Sequence, residues 1–170
     1  QGRLIQSLKS FLADRHMDGT QVFERKRTVE ELIARILTDV REAASQQFGV
    51  DVRRVTAGRP VRFVGAASTE DDAYAVARLR QAFLAAGFEE VAFELEPIAA
   101  AYQYESALDH DELILIGDFG GGTSDFSLIH VGPGTRQQGS ARRLLGNAGV
   151  GLAGDAFDAQ IVRRLVSPAL

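Results

Sequence analysis

Residues 114–129, ILIGDFGGGTSDFSLI, constrain this chain more than any other stretch. An apolar run stops at Asp118. Gly120, Gly121, Gly122 and Thr123 follow, and Asp125 opens a second apolar run. The order reads as strand, tight turn, strand. Glycines take side chains out of the turn, so backbone N–H groups can close on an anion such as phosphate. Carboxylates on both sides of such a turn suit a hydrated Mg2+ riding on phosphates. A glycine-rich hairpin with two turn-capping aspartates has the same local signature.

Composition narrows the field around that turn. The 170 residues suffice for one good domain or two small lobes. The absence of cysteine excludes a disulfide framework and a thiolate metal site. A net charge of -4 gives no support for nucleic acid as a partner. No apolar run is long enough to span a bilayer, so no membrane partner is expected. Gln1-Gly2-Arg3 leads straight into an amphipathic segment, with no signal-peptide pattern, and the expected compartment is the cytoplasm. The chain lacks an initiator Met, which predicts a piece of something longer.

Before the turn, Leu4, Ile5, Leu8, Phe11 and Leu12 fall on one helical face, with Lys9 on another side, where a solvated lysine is the plain reading. Asp18-Gly19-Thr20 marks a turn, and residues 24–27 read as a charged link. Thr28-Val29-Glu30-Glu31 is a capping box. The helix it opens carries Val29, Leu32, Ile33, Ile36, Leu37, Val40, Ala44 and Phe48, a stripe read as core, and Gly49 stops it. Residues 52–55 follow, and residues 60–65 read as a buried strand with Pro60 at its start. Ser68 caps a helix whose first turn is acidic, Gly87 ends it, and residues 91–95 form a strand. Strand, helix, strand predicts a parallel pair.

Glu96 stands at the end of that last strand, and Pro97 fits the first turn of a small-residue helix. A carboxylate at the carboxyl end of a parallel strand lies where α/β folds place ligands, and a simple helix cap uses the same residue. Residues 109–112 form a polar link and a candidate boundary. Residues 142–146 are expected as a third strand of the second sheet, and residues 156–166 as a helix. Glycines ahead of that helix either expose N–H groups to a phosphate or allow tight packing of helix on sheet.

Three segments in fixed order now carry a family resemblance: ELEPIAAAYQYE from Glu94, IGDFGGGTSDFSL from Ile116 and GLAGDAFDAQIV from Gly151. Together they resemble the nucleotide-binding domain of the seventy-kilodalton heat-shock chaperones, the DnaK-like family. The second segment looks like that family's second phosphate loop. The first is similar to its Asn-Glu-Pro-Thr-Ala-Ala-Ala stretch, and the third to its Leu-Gly-Gly-Glu-Asp-Phe-Asp-Asn segment. Phe119, Ser124, Ile98, Leu95 and Ala153 depart from the residues usual there, as does Gly58-Arg59-Pro60-Val61-Arg62-Phe63, which makes this similar to a divergent, YegD-like branch.

The resemblance implies an α/β chain with the actin-like ATPase (ribonuclease H-like) fold, in two incomplete lobes. Residues 1–111 would be the later part of the first lobe and residues 112–170 the beginning of the second. It implies ATP or ADP with Mg2+ as cofactors. Gly120, Gly121, Gly122 and Thr123 would hold phosphates, and Asp118 and Asp125 would orient the metal and the attacking water. Glu96 would sit near metal-bound water, and Lys9 aligns with a lysine that reaches the terminal phosphate. Unfolded client proteins and co-chaperones would be partners of the full-length protein. No counterpart of the family's first phosphate loop is found, so the chain alone is expected to hydrolyse ATP very poorly or not at all. Unpaired sheet edges predict a homo-oligomer of the isolated chain. An actin-like small-molecule kinase lobe and a non-catalytic nucleotide-sensing scaffold are the competing readings.

Overall fold

The computed structural model describes residues 7–121, 123–136, 143–150 and 152–167. The chain divides into two compact units, Gln1–Phe93 and Glu94–Leu170.

In the first unit the expected opening helix is a single 3-10 turn, Leu8–Phe11, with Leu12 fully buried behind it. Leu4 and Ile5 lie outside the described residues. The expected charged link is instead half of a hairpin: β1 (Gly19–Val22) pairs antiparallel with β2 (Arg25–Thr28). The pairing of Gly19 with Thr28 hides this strand from a hydrophobicity argument, because β2 reads RKRT. Helix α1 (Val29–Phe48) starts on the expected capping box, the Thr28 side chain accepting from Glu31 N–H and the Glu31 carboxylate from Thr28 N–H. It stops at Gly49, whose φ of 67° is left-handed. Its stripe is only partly core. Val29 and Ala34 are buried and Ile33 and Leu37 pack against them, whereas Ile36, Val40 and Phe48 are exposed.

The strand expected at 60–65 lies earlier, as β3 (Arg54–Arg59). Val55, Ala57 and Arg59 alternate inward, and Pro60, with no N–H to give, ends the strand. Phe63 still buries its ring, but from a loop, with its N–H donating to Asp72 Oδ1 at 2.9 Å. Helix α2 (Thr69–Ala85) starts on Ser68, whose Oγ accepts from Asp71 N–H. β4 (Glu90–Leu95) pairs with β3. The N–H groups of Glu89 and Glu90 both donate to the Arg53 carbonyl, so the two strands start side by side and run in the same direction.

Burial here is tied down by one cation. Arg78 of α2 is 5% exposed. Its guanidinium donates to the carbonyls of Phe11, Leu12, Asp14 and Met17 and pairs with Glu30 of α1. One side chain thus satisfies four carbonyls of a segment with no regular ladder of its own.

In the second unit, α3 (Glu96–Glu105) follows β4 directly. β5 (Glu112–Phe119), β6 (Ser124–Val131) and β7 (Leu144–Val150) form an antiparallel sheet in the order β5-β6-β7. The third strand therefore begins and ends later than expected, with an irregularity where Leu128 and Ile129 pair with Gly146 and Leu144. Leu95, Ile98 and Ala101 pack with Ile129 and Val131, so α3 covers one sheet face. α4 (Gly154–Ile161) begins two residues before the expected start and continues as a π-helical turn, Val162–Val166. Among the described residues, no helix is long and apolar enough to cross a membrane.

Candidate phosphate and metal site at the β5–β6 turn

The register of β5 and β6 sets the site. Asp118 and Asp125 are directly opposite each other, one pair before the turn, with Phe119 and Ser124 closing the ladder. Side chains directly opposite on antiparallel strands project from the same face about 5 Å apart at Cβ. That face also carries Ile114, Ile116, Ile129 and Val131, on the α3 side. Two carboxylates so placed repel one another, and a shared cation offsets this.

The turn is fastened to α4. Gly120 N–H donates to the Thr123 carbonyl at 3.0 Å. The Gly120 and Gly121 carbonyls then accept from Gly154 N–H at 3.2 Å and Asp155 N–H at 2.8 Å. The first turn of α4 is thereby satisfied inside the chain, so tight packing of helix and turn, and not an open helix terminus, explains the glycines there. A Cβ at Gly154 would meet the Gly120 carbonyl at 3.4 Å. Among the described residues, the N–H groups of Gly121 and Thr123 have no acceptor. Gly122 lies outside the described residues, as does Gly151.

Two further residues complete the surroundings. A Cβ at Gly149 of β7 would stand 2.3 Å from Asp125 Oδ1, so glycine is what leaves room for that carboxylate. A Cβ at Gly121 would stand 3.1 Å from Asp155 Oδ1, which brings a third carboxylate to the turn. The sequence signal for Gly149 is the run of glycines before a helix and for Gly121 the glycine turn itself, without the register that says which carboxylate each faces. Ser124, where the resemblance expects an aromatic ring, donates from Oγ to the Leu152 carbonyl at 2.7 Å and pins the β7–α4 link to β6.

Among the described residues, no group of three or more His, Cys, Asp or Glu side chains is arranged to hold a metal by itself. Two carboxylates beside free N–H groups fit Mg2+ instead, since that ion keeps its waters and takes a carboxylate or two together with substrate phosphates. Glu96 is half-buried at the first position of α3, with Leu95 at the cap, in the same unit as the turn. Lys9 is exposed on the 3-10 turn of the other unit.

A profile of the Hsp70 protein family matches residues 9–169. The chain belongs to the Hsp70 family. It is 31% identical over 164 residues to a protein named chaperone protein DnaK from Ureaplasma parvum, covering 95% of this chain and 24% of that protein. It is also 31% identical over 163 residues to the chaperone protein DnaK of Thermosipho africanus, covering 94% of this chain and 24% of the other. The chaperone protein DnaK of Thermosipho melanesiensis is 29% identical over 164 residues. The chain spans about a quarter of the length of these relatives. The Hsp70 match bears out the resemblance read from the three segments, and its mixed α/β elements agree with the actin-like fold that family implies.

Proposed function

We propose that this chain is the ATP-binding segment of a DnaK-like molecular chaperone ATPase, with the β5–β6 turn as its phosphate cradle. The observation that carries this is the cross-strand pair Asp118–Asp125 beside a glycine turn whose Gly121 and Thr123 amides are left without an acceptor. Mg2+, when bound with nucleotide, would neutralise phosphate charge at this point. The chain's own residues then have separable tasks. The Gly121 and Thr123 amides would face phosphate oxygens, with Gly120 fixing the turn, and Gly122, which lies outside the described residues, is assigned to the same cradle by resemblance. Asp118 and Asp125 would accept hydrogen bonds from the waters of a bound Mg2+, which would supply charge neutralisation, and would orient an attacking water. Phosphoryl transfer needs little beyond such positioning and charge stabilisation.

Family resemblance supports the remaining assignments. Glu96 is proposed to sit near metal-bound water, and Lys9 to reach the terminal phosphate. The two-lobed actin-like arrangement, with its division at residues 111 and 112, is proposed on the same ground, as are a cytoplasmic setting, client proteins and co-chaperones. In the intact protein, ATP hydrolysis would regulate peptide binding elsewhere. Association of the isolated chain with itself is a further proposal.

The test is nucleotide binding and turnover by the 170-residue chain. Weak Mg2+-dependent ADP binding, lost in Asp118→Asn, and negligible ATP turnover are expected. Turnover well above that of Asp118→Asn contradicts the expectation of inactivity. Binding indifferent to Asp118 contradicts the cradle.

A further inference from the structure

The β1–β2 hairpin carries a residue that neither folding nor burial favours. Phe23 is the first of the two residues between the strands, with a φ of 53°. Hairpin turns reserve positive φ at this position for glycine or asparagine, and a bulky side chain there is strained. Phe23 is also 83% exposed, so its ring returns nothing to the core. Two costs at one residue, with no compensating burial among the described residues, point to an outside partner.

The surroundings state the chemistry. Arg25 and Arg27 are two apart on β2 and project to one side, while Lys26 projects to the other. Phe23, Arg25 and Arg27 line an open hollow with Val22 and Glu24. Among the described residues, Arg25 has no carboxylate partner. Arg27 has a 3.7 Å pair with Glu31, both side chains about half exposed, which a competing carboxylate can replace. Guanidinium groups two residues apart on a strand stand roughly 7 Å from one another, the spacing of alternate residues in a facing extended segment. Glu24 interrupts the cationic surface, and the chain's net charge is -4, both unfavourable to a continuous phosphate polyanion.

We propose that the hairpin tip is a docking surface for an extended acidic segment of a partner protein. Carboxylates at alternate positions of that segment pair with Arg25 and Arg27, and an apolar side chain of the partner packs on the Phe23 ring. This goes beyond the nucleotide reading and involves none of its residues.

The probe is a fluorescein-labelled peptide with the core Leu-Glu-Val-Glu-Leu, titrated into the 170-residue chain and followed by anisotropy. Controls are the same peptide with Lys for Glu, an oligoadenylate, and phosphatidylserine vesicles. The acidic peptide is expected to bind, and the controls to bind at least about tenfold more weakly. Phe23→Gly and the double variant Arg25→Ala/Arg27→Ala are each expected to weaken the peptide about tenfold or more. Phe23→Gly is also expected to keep or raise the urea midpoint, because it relieves the strained φ, which separates lost docking from lost folding. Binding unchanged in either variant overturns the proposal. So does equal binding of the oligoadenylate or vesicles, or self-association of the chain that the same variants abolish.

Discussion

Asp118 and Asp125 are direct cross-strand partners at the last pair but one before the glycine turn. Two like charges facing each other on a sheet destabilise it, so the pair makes sense where a cation is to be held.

Replacing either carboxylate therefore has opposite effects on fold and function. Asp118→Asn or Asp125→Asn is expected to raise metal-free stability by about 0.5 kcal/mol at low salt, as urea unfolding will show. The gain is expected to disappear at high ionic strength, and Mg2+ with ADP is expected to stabilise the wild-type chain but neither variant. Equal stabilisation of all three by Mg2+ and ADP would remove the pair from the site.

Gly149→Ala tests the room left for Asp125. The added Cβ meets the end of a side chain, Asp125 Oδ1 at 2.3 Å, which can rotate away. Stability should fall by less than about 1 kcal/mol, while Mg2+-dependent nucleotide binding is lost. Gly19→Ala is the contrast, because its Cβ meets the Arg27 carbonyl oxygen at 2.2 Å and backbone cannot rotate away. That change should cost about 1–3 kcal/mol. Urea unfolding of both variants decides.

Glu105 and Arg143 form an ion pair in which each side chain is under 5% exposed, at 2.7 Å. Glu105 Oε1 also accepts from Gly132 N–H at 3.0 Å and from the buried Thr135 hydroxyl at 3.4 Å. Among the described residues, Arg143 Nε has no hydrogen-bond partner. Glu105→Ala strands a buried cation and should cost about 3–5 kcal/mol. The double variant Glu105→Leu/Arg143→Met should recover much of that loss, as a double-mutant cycle in urea will show.

Glu30 sets an acid limit. Partial burial pushes its pKa up, but the hydrogen bond and charge of Arg78, with hydrogen bonds from its own backbone N–H and from Thr28, outweigh this and hold it below the ordinary value of 4.5. A depressed carboxylate contributes stability that is complete above its unfolded value and is lost as pH falls through the folded one. Stability should therefore decline below about pH 4.5, and Glu30→Gln should flatten that part of the profile. Thermal unfolding across pH 3–6 measures it.

What the sequence disclosed was local. The capping box at Thr28, the Ser68 cap, the helix after Glu96 and the hairpin around Gly120–Thr123 each carry their signal within a few residues. Pairings between distant residues left no such mark. The basic strand β2 reads as a link until its partner β1 is known. Alternation placed β3 only once Pro60 was recognised as a stop rather than a start. Nothing near Glu105 announces Arg143, and nothing near Asp125 announces Gly149. The exposed Ile36, Val40 and Phe48 show the converse, a clear helical stripe wider than the face this chain covers.

The β5–β6 turn is proposed to hold nucleotide phosphate through a divalent ion. Paramagnetic broadening by Mn2+ with ADP, read on assigned amide resonances, tests it most directly, because it detects weak binding and reports position. The prediction is that Gly120, Gly121, Thr123 and Asp125 broaden first, that excess Mg2+ reverses this, and that Asp118→Asn abolishes it. Broadening centred elsewhere, or none at millimolar Mn2+ and ADP, would contradict the claim.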